Sequence, residues 1–218
     1  MSHPSPDSSL VTVPLPSEDD LKRVIGISYD SDKTLNVMKM FAGTDDMYPA
    51  VVGFIKAVFE AHGVNPKLRE MIVLRVATKY HVLYEWQAQS TLARNAGLSP
   101  QEIQAAASDD AAEGIDADYR LAWKATDEIC IEGTLCDETL HQLLARYGET
   151  VTRKLILIIS WFNLLSCFIN SCRVPGVVVQ ERLVFAVIAL SHVASQARQS
   201  IAVITRGVAR AAPRIGCR

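Results

Sequence analysis

Paired cysteines are missing from this chain. Its five cysteines, at positions 130, 136, 167, 172 and 217 of 218, are widely spread and include no Cys-x-x-Cys. An odd, scattered set is neither a secreted disulfide framework nor a zinc site. Net charge is nearly absent as well: the formal value of -2 leaves no nucleic-acid footprint for the whole molecule. No Gly-rich phosphate loop, nucleophile elbow or dinucleotide fingerprint occurs. No segment reads as the long uncharged apolar run of a membrane span. The start of the chain, 1–16, is rich in Ser and Pro and has no basic residues leading into an apolar run. It therefore reads as a disordered arm and not a signal peptide. These absences point to an intracellular, soluble, globular protein placed in the cytoplasm.

What is present is helical. At 49% hydrophobic and 21% charged, the chain is long enough to bury a core without disulfides or metals. Apolar residues recur at helical spacing almost throughout, and hairpin signals are lacking. Helices are expected over 32–41 and 47–62. The next opens on Asn65 as N-cap with Pro66 at the first helical position, and runs to about Tyr80. Others follow over 82–95, after the capping box of Ser99 and Glu102, over 116–131, and over 137–147. The segment 150–172 is almost entirely apolar and predicts a helix buried on all sides, at a bundle centre or a subunit interface.

Composition changes after residue 173. The only acid from there to the end is Glu181, Lys is absent, and Arg recurs at 182, 198, 206, 210, 214 and 218. The apolar run 183–194 is too short to span a bilayer. Three readings stay open: a helix packed on the bundle or a partner, a basic membrane-surface helix, or a tail from an alternative or mistaken reading of the gene. The expected organisation is a mostly disordered arm over 1–29, a helical domain over 30–175, and an atypical Arg-rich tail over 176–218.

The residues able to carry chemistry sit in two neighbouring helices. Glu70, Leu74, Ala77 and His81 fall on one stripe if the first helix runs that far. On the second, Glu85 and Gln89 are spaced i, i+4 and share a face. A helical hairpin could set Glu70 against Glu85 across a small cavity walled by Tyr84 and Trp86. Carboxylates short of water have raised pKa values and can trade protons. The plain alternative is that both acids pair with Arg69, Arg75 or Lys79. A metal on His81 and Glu85 would have two visible ligands only, so none is assigned. Cys167 and Cys172 read as packing residues of the apolar helix.

These residues also carry a resemblance. The run Arg69-Glu70-Met71-Ile72-Val73-Leu74-Arg75-Val76-Ala77, then Tyr84-Glu85-Trp86, Ala93, Gly97-Leu98-Ser99 and Glu102-Ile103, resembles the carboxymuconolactone decarboxylase and alkyl hydroperoxidase D-like superfamily. It continues through 118–131 and 139–148 to the helix of Trp161, Phe162 and Asn163. The resemblance implies an all-α bundle of about six core helices that forms a homo-oligomer, a trimer or hexamer. Peroxidase members carry a Cys-x-x-Cys pair with a His downstream, and a Glu on the preceding helix relays protons. Here Val82 and Glu85 stand at the Cys positions and Gln89 at the His; Glu70 matches the relay. Without those thiols a peroxidase cycle has no nucleophile. What the resemblance implies is an acid–base enzyme needing no cofactor. It would act on a small organic acid, lactone or polyketide-like intermediate by decarboxylation, isomerisation or dehydration, in an aromatic-compound or biosynthetic pathway. Glu70 and Glu85 would be catalytic, and His81, Tyr84, Trp86 and Gln89 would bind substrate. The alternatives are a non-catalytic scaffold that keeps the fold and, further off, a hydroperoxide reductase.

Overall fold

The computed structural model describes residues 11–108 and 115–176. Among them are eight α-helices, two short 3-10 turns and no strands. The all-α expectation holds. The Arg-rich tail lies outside the described residues.

The helices start and stop where local chemistry dictates. Within the arm expected to be disordered, the described part contains α1 (Glu18–Ile25). Ser17 caps it by accepting from Asp20 N–H, acids fill its first turn and Lys22 and Arg23 its last, and Leu21 is buried. Helix α2 (Asn36–Ala42) begins four residues later than its periodicity suggests. The Asp30 carboxylate accepts the amides of Asp32 and Lys33 at 3.0 and 3.1 Å, which holds residues 30–34 in a turn instead. Next come α3 (Tyr48–Phe59), α4 (Pro66–Lys79), α5 (Leu83–Asn95), α6 (Pro100–Ala106), α7 (Ala117–Glu132) and α8 (Asp137–Cys172). Asn65 caps α4, the Ser99–Glu102 capping box opens α6, and Gly133 ends α7 in the left-handed conformation, as the sequence predicts.

Helix α4 is the centre of the bundle, packed against α5, α6, α7 and α8. All ten residues from Leu68 to Ala77 are buried, including Arg69, Glu70 and Arg75. Helix α4, and not 150–172, therefore occupies the bundle centre, and within one chain 150–172 is not covered on every side. This segment is the second arm of α8, which breaks at Gly148 (φ 70°). One stripe of it (Leu155, Ile158, Ile159, Phe162, Leu165, Ile169) enters the core, while Leu157 and Leu164 stay 52% and 54% exposed. Residues 155–172 also carry no charged side chain, so the reading that no long uncharged run exists needs correcting. By length and composition alone α8 could cross a membrane; the core helix of a bundle meets the same test.

Buried charge locks α4 in place. Arg75 forms a two-pronged pair with Asp127 of α7, at 2.7 and 2.6 Å. Its remaining nitrogen donates to the carbonyls of Ala106 and Ser108 at the end of α6, and its guanidinium lies 5.8 Å from the Trp123 ring. Removing one partner of a buried pair leaves the other uncompensated. Arg75→Met is therefore expected to lower unfolding stability by about 2–3 kcal/mol in urea titrations, since Lys79 still supports Asp127 at 3.2 Å. Arg153→Ala, which removes the exposed pair with Glu149, should change it by less than about 0.5 kcal/mol.

Candidate functional site

The hairpin expected of the two motif helices is present: α4 and α5 pack together, joined by residues 80–82. Both acids are buried in it. Glu70 is 1% exposed and Glu85 2%. Glu70 is held by its sequence neighbour, with Arg69 Nε and Nη2 both donating to Glu70 Oε1, at 3.1 and 3.0 Å. Arg75 and Lys79, the other cations near in sequence, serve Asp127 instead.

Glu85 sits in the third position of α5, where an acid often folds back to cap the helix. That cap does not form, because the Val82 N–H already donates to Ala77 O at 2.9 Å. The carboxyl meets α8 instead, where Ser166 Oγ donates to Glu85 Oε2 at 2.8 Å. The other oxygens, Glu70 Oε2 and Glu85 Oε1, are buried without a hydrogen-bond partner, and so is Gln89 Oε1. In an antiparallel hairpin closed at 80–82, residue 70 stands level with about residue 92, at a rise of about 1.5 Å per residue. Gln89 is therefore nearer than Glu85 to the level of Glu70 along the axis.

Burial sets the electrostatics. It drives the Glu85 pKa up to about 8, against a weaker downward pull from Ser166. A first-turn carboxylate is favoured by the helix dipole by at most about 2 kcal/mol. Desolvating an ion costs several, so burial prevails. Glu70 is also pushed up by burial, but Arg69 opposes the shift by charge and hydrogen bonds.

The remaining expected site residues divide. Tyr84 is buried and tied down: its hydroxyl accepts the Val37 N–H at 3.1 Å, satisfying a first-turn amide of α2. Its own proton is still available to donate, with its pKa raised to about 12 by burial. Trp86 is half-buried against the core. His81 is not brought to the site. Helix α4 stops at Lys79, and His81 is exposed in the connection with φ 53°, so the stripe through Glu70, Leu74 and Ala77 does not continue to it. Cys167 is also misplaced by the sequence reading, since it lies exposed on α8; Cys172 is half-buried. Ser166 was missed. A fully buried serine on the core stripe of an apolar helix was its signal.

A cavity of about 140 Å³ lies elsewhere, lined by Gly63, Val64, Asn65, Leu68, Asp116, Asp118, Tyr119, Tyr147 and Val151, and by none of the expected site residues. Among the described residues no group of three or more His, Cys, Asp or Glu could hold a metal ion.

Residues 45–128 match the Carboxymuconolactone decarboxylase family. That stretch holds both acids and Gln89 but ends short of Ser166. Two solved structures share the fold. One is an uncharacterized peroxidase-related protein from Ralstonia eutropha JMP134, described as an alkylhydroperoxidase AhpD core. It is 17% identical over 81% of this chain and 96% of its own, with a TM-score of 0.63. The other is an uncharacterized peroxidase-related protein from Silicibacter sp. TM1040, 16% identical over 82% and 96%, with a TM-score of 0.62. No curated protein matches the chain. The central segment is thus similar to the carboxymuconolactone decarboxylase family, and the fold to that of an alkylhydroperoxidase AhpD core, as the sequence reading expected.

The Glu85 environment carries a pH signature. Between its ordinary value of 4.5 and about 8 the folded carboxyl holds a proton that the unfolded one has lost. Stability must then fall as pH rises through that window. Relative to Glu85→Gln, the wild type is expected to lose stability from about pH 4.5 to about pH 8. The slope should approach about 1.4 kcal/mol per pH unit mid-window and flatten above it, read from denaturant titrations at each pH.

Proposed function

We propose that the protein is an acid–base enzyme acting on a small organic acid, lactone or polyketide-like intermediate, by decarboxylation, isomerisation or dehydration. The observation that carries this reading is the pair of buried acids on α4 and α5, each with one oxygen anchored and one buried oxygen unpartnered. Buried polar atoms are nearly always satisfied, so each exception calls for a reason, and a catalytic role is one. Glu85 is the principal acid–base group, with Glu70 as its proton relay. Tyr84 and Gln89 orient the substrate; Gln89 can hydrogen-bond a ligand but cannot pass a proton on. A pKa pushed to about 8 keeps a carboxyl close to the range in which donation and uptake are both effective near neutrality.

Thiol peroxidase chemistry finds less support. Val82 and Glu85 occupy the positions where the resemblance would put its cysteines, and burial raises Cys130 to about 11, away from thiolate character. A homo-oligomer belongs to the same proposal, supported by the exposed Leu157 and Leu164 on α8.

The test is mass spectrometry of a metabolite extract from the source organism, incubated with wild type and with Glu85→Gln. A mass-shifted product made by the wild type and abolished in Glu85→Gln is expected, and the shift identifies the reaction. No change with either protein would instead favour a scaffold that keeps the fold without its chemistry.

A further inference from the structure

The two buried acids are anchored by groups of different charge. Glu70 is gripped by a cation that is itself immobilised. Arg69 Nη1 donates to Phe59 O at 3.0 Å, and its guanidinium lies 4.7 Å from the Phe59 ring centroid. Glu85 is gripped by the neutral hydroxyl of Ser166, which is 0% exposed. Other charged side chains on the surrounding elements are engaged elsewhere. On α4, Arg75 and Lys79 pair with Asp127; on α2, Lys39 donates to Ser31 O; on α8, Arg153 pairs with Glu149 and Lys154 donates to His62 O. On α5 the titratable neighbour of Glu85 is the Tyr84 phenol, whose burial keeps it neutral. Arg69 is thus the cation that meets the pair, and it meets Glu70 alone.

Resting on the acid–base function above, we infer that Arg69 and Ser166 are positioning residues that divide the two acids. Arg69 holds Glu70 as the carboxylate that accepts a proton; Ser166 fixes Oε2 of Glu85, and burial away from any cation among the described residues leaves Glu85 as the carboxylic acid that donates one. Two acids in environments that separate their ionisation take opposite roles. The free oxygen of each, Glu70 Oε2 and Glu85 Oε1, is the atom presented to the substrate.

The division narrows the reaction. Glu70 Oε2 removes a proton from a carbon beside a carbonyl, and the C–H electron pair moves into the substrate. Glu85 Oε1–H delivers its proton either to another carbon, giving an isomer, or to a departing hydroxyl, which leaves as water. The substrate's atoms balance in both cases. Glu70, as the relay, then returns the proton it has taken to Glu85, which restores both groups. No oxidant or reductant is needed. A simple decarboxylation would use only the donor, so the arrangement favours isomerisation or dehydration of a carbonyl compound with an acidic C–H.

The experiment follows carboxyl protonation in the full-length protein, with glutamate carbons isotopically labelled and infrared spectra recorded across pH, and needs no substrate. At pH 6 exposed glutamates are ionised, so a protonated carboxyl reports a buried one. One such signal is expected, absent from Glu85→Gln and retained in Glu70→Gln. Ser166→Ala should raise its midpoint by roughly half a pH unit or more, with Ser166→Thr restoring it. Arg69→Met should add a second protonated carboxyl at pH 6, and Arg69→Lys should remove it. A signal that persists in Glu85→Gln, or a midpoint unmoved by Ser166→Ala, overturns the assignment. Carboxyls that titrate as stated in a protein converting no metabolite would sink the enzymatic function and leave the anchoring assignment standing. Conversion of a metabolite by a protein whose carboxyls titrate otherwise would do the reverse.

Discussion

Burying the charges of α4 is the constraint on which the rest of the bundle depends. Ten consecutive residues of that helix are out of water, and three of them, Arg69, Glu70 and Arg75, are ionisable. An unpaired charge in such a place costs several kcal/mol, so each has to find a partner and the partner has to be held still. Arg75 reaches Asp127 on α7 and the last carbonyls of α6; Arg69 reaches Glu70 and the end of α3. Glu85, the fourth buried charge-bearing side chain of the hairpin, reaches Ser166 on α8. Through these contacts the central hairpin is tied to α3, α6, α7 and α8. Polar pairs thus set the register of helices whose apolar faces alone would tolerate sliding.

The same constraint sets the two acids apart. Carboxyl groups in water differ little from one another. Here one is matched with a guanidinium and the other with a hydroxyl, and burial amplifies that difference. The unanchored oxygens exist because each partner satisfies only half of its carboxyl. Tyr84 holds the first turn of α2 against the start of α5.

Helix α8 shows how composition misleads about position. Its second arm is the most apolar stretch among the described residues, which suggested complete burial. The helix breaks at Gly148, and beyond it only one stripe meets the core. Aromatic contacts seat it, with Phe168 stacked on Phe41 at 4.6 Å and Trp161 against Phe54 at 4.7 Å between ring centroids. Helix α4, which carries more charge, is the one enclosed over ten consecutive residues. Hydropathy counts each charge as a cost of burial and does not see that a partner is waiting.

The sequence by itself determined what depends on near neighbours. Asn65 with Pro66, Ser99 with Glu102, and Gly133 mark helix ends because capping bonds span only a few residues. The i, i+4 spacing of Glu85 and Gln89 put them on one face for the same reason. Glu70 and Glu85 were legible as candidates through that spacing and through the family resemblance. The tertiary structure alone decided that His81 leaves the stripe, because α4 ends at Lys79, and that Arg75 and Lys79 turn to Asp127 and not to the acids. It alone revealed Ser166, 81 residues beyond Glu85 in the chain. Local backbone chemistry is written in adjacent letters. Which distant side chain relieves a buried charge is set by how helices pack, and that is a property of the whole bundle.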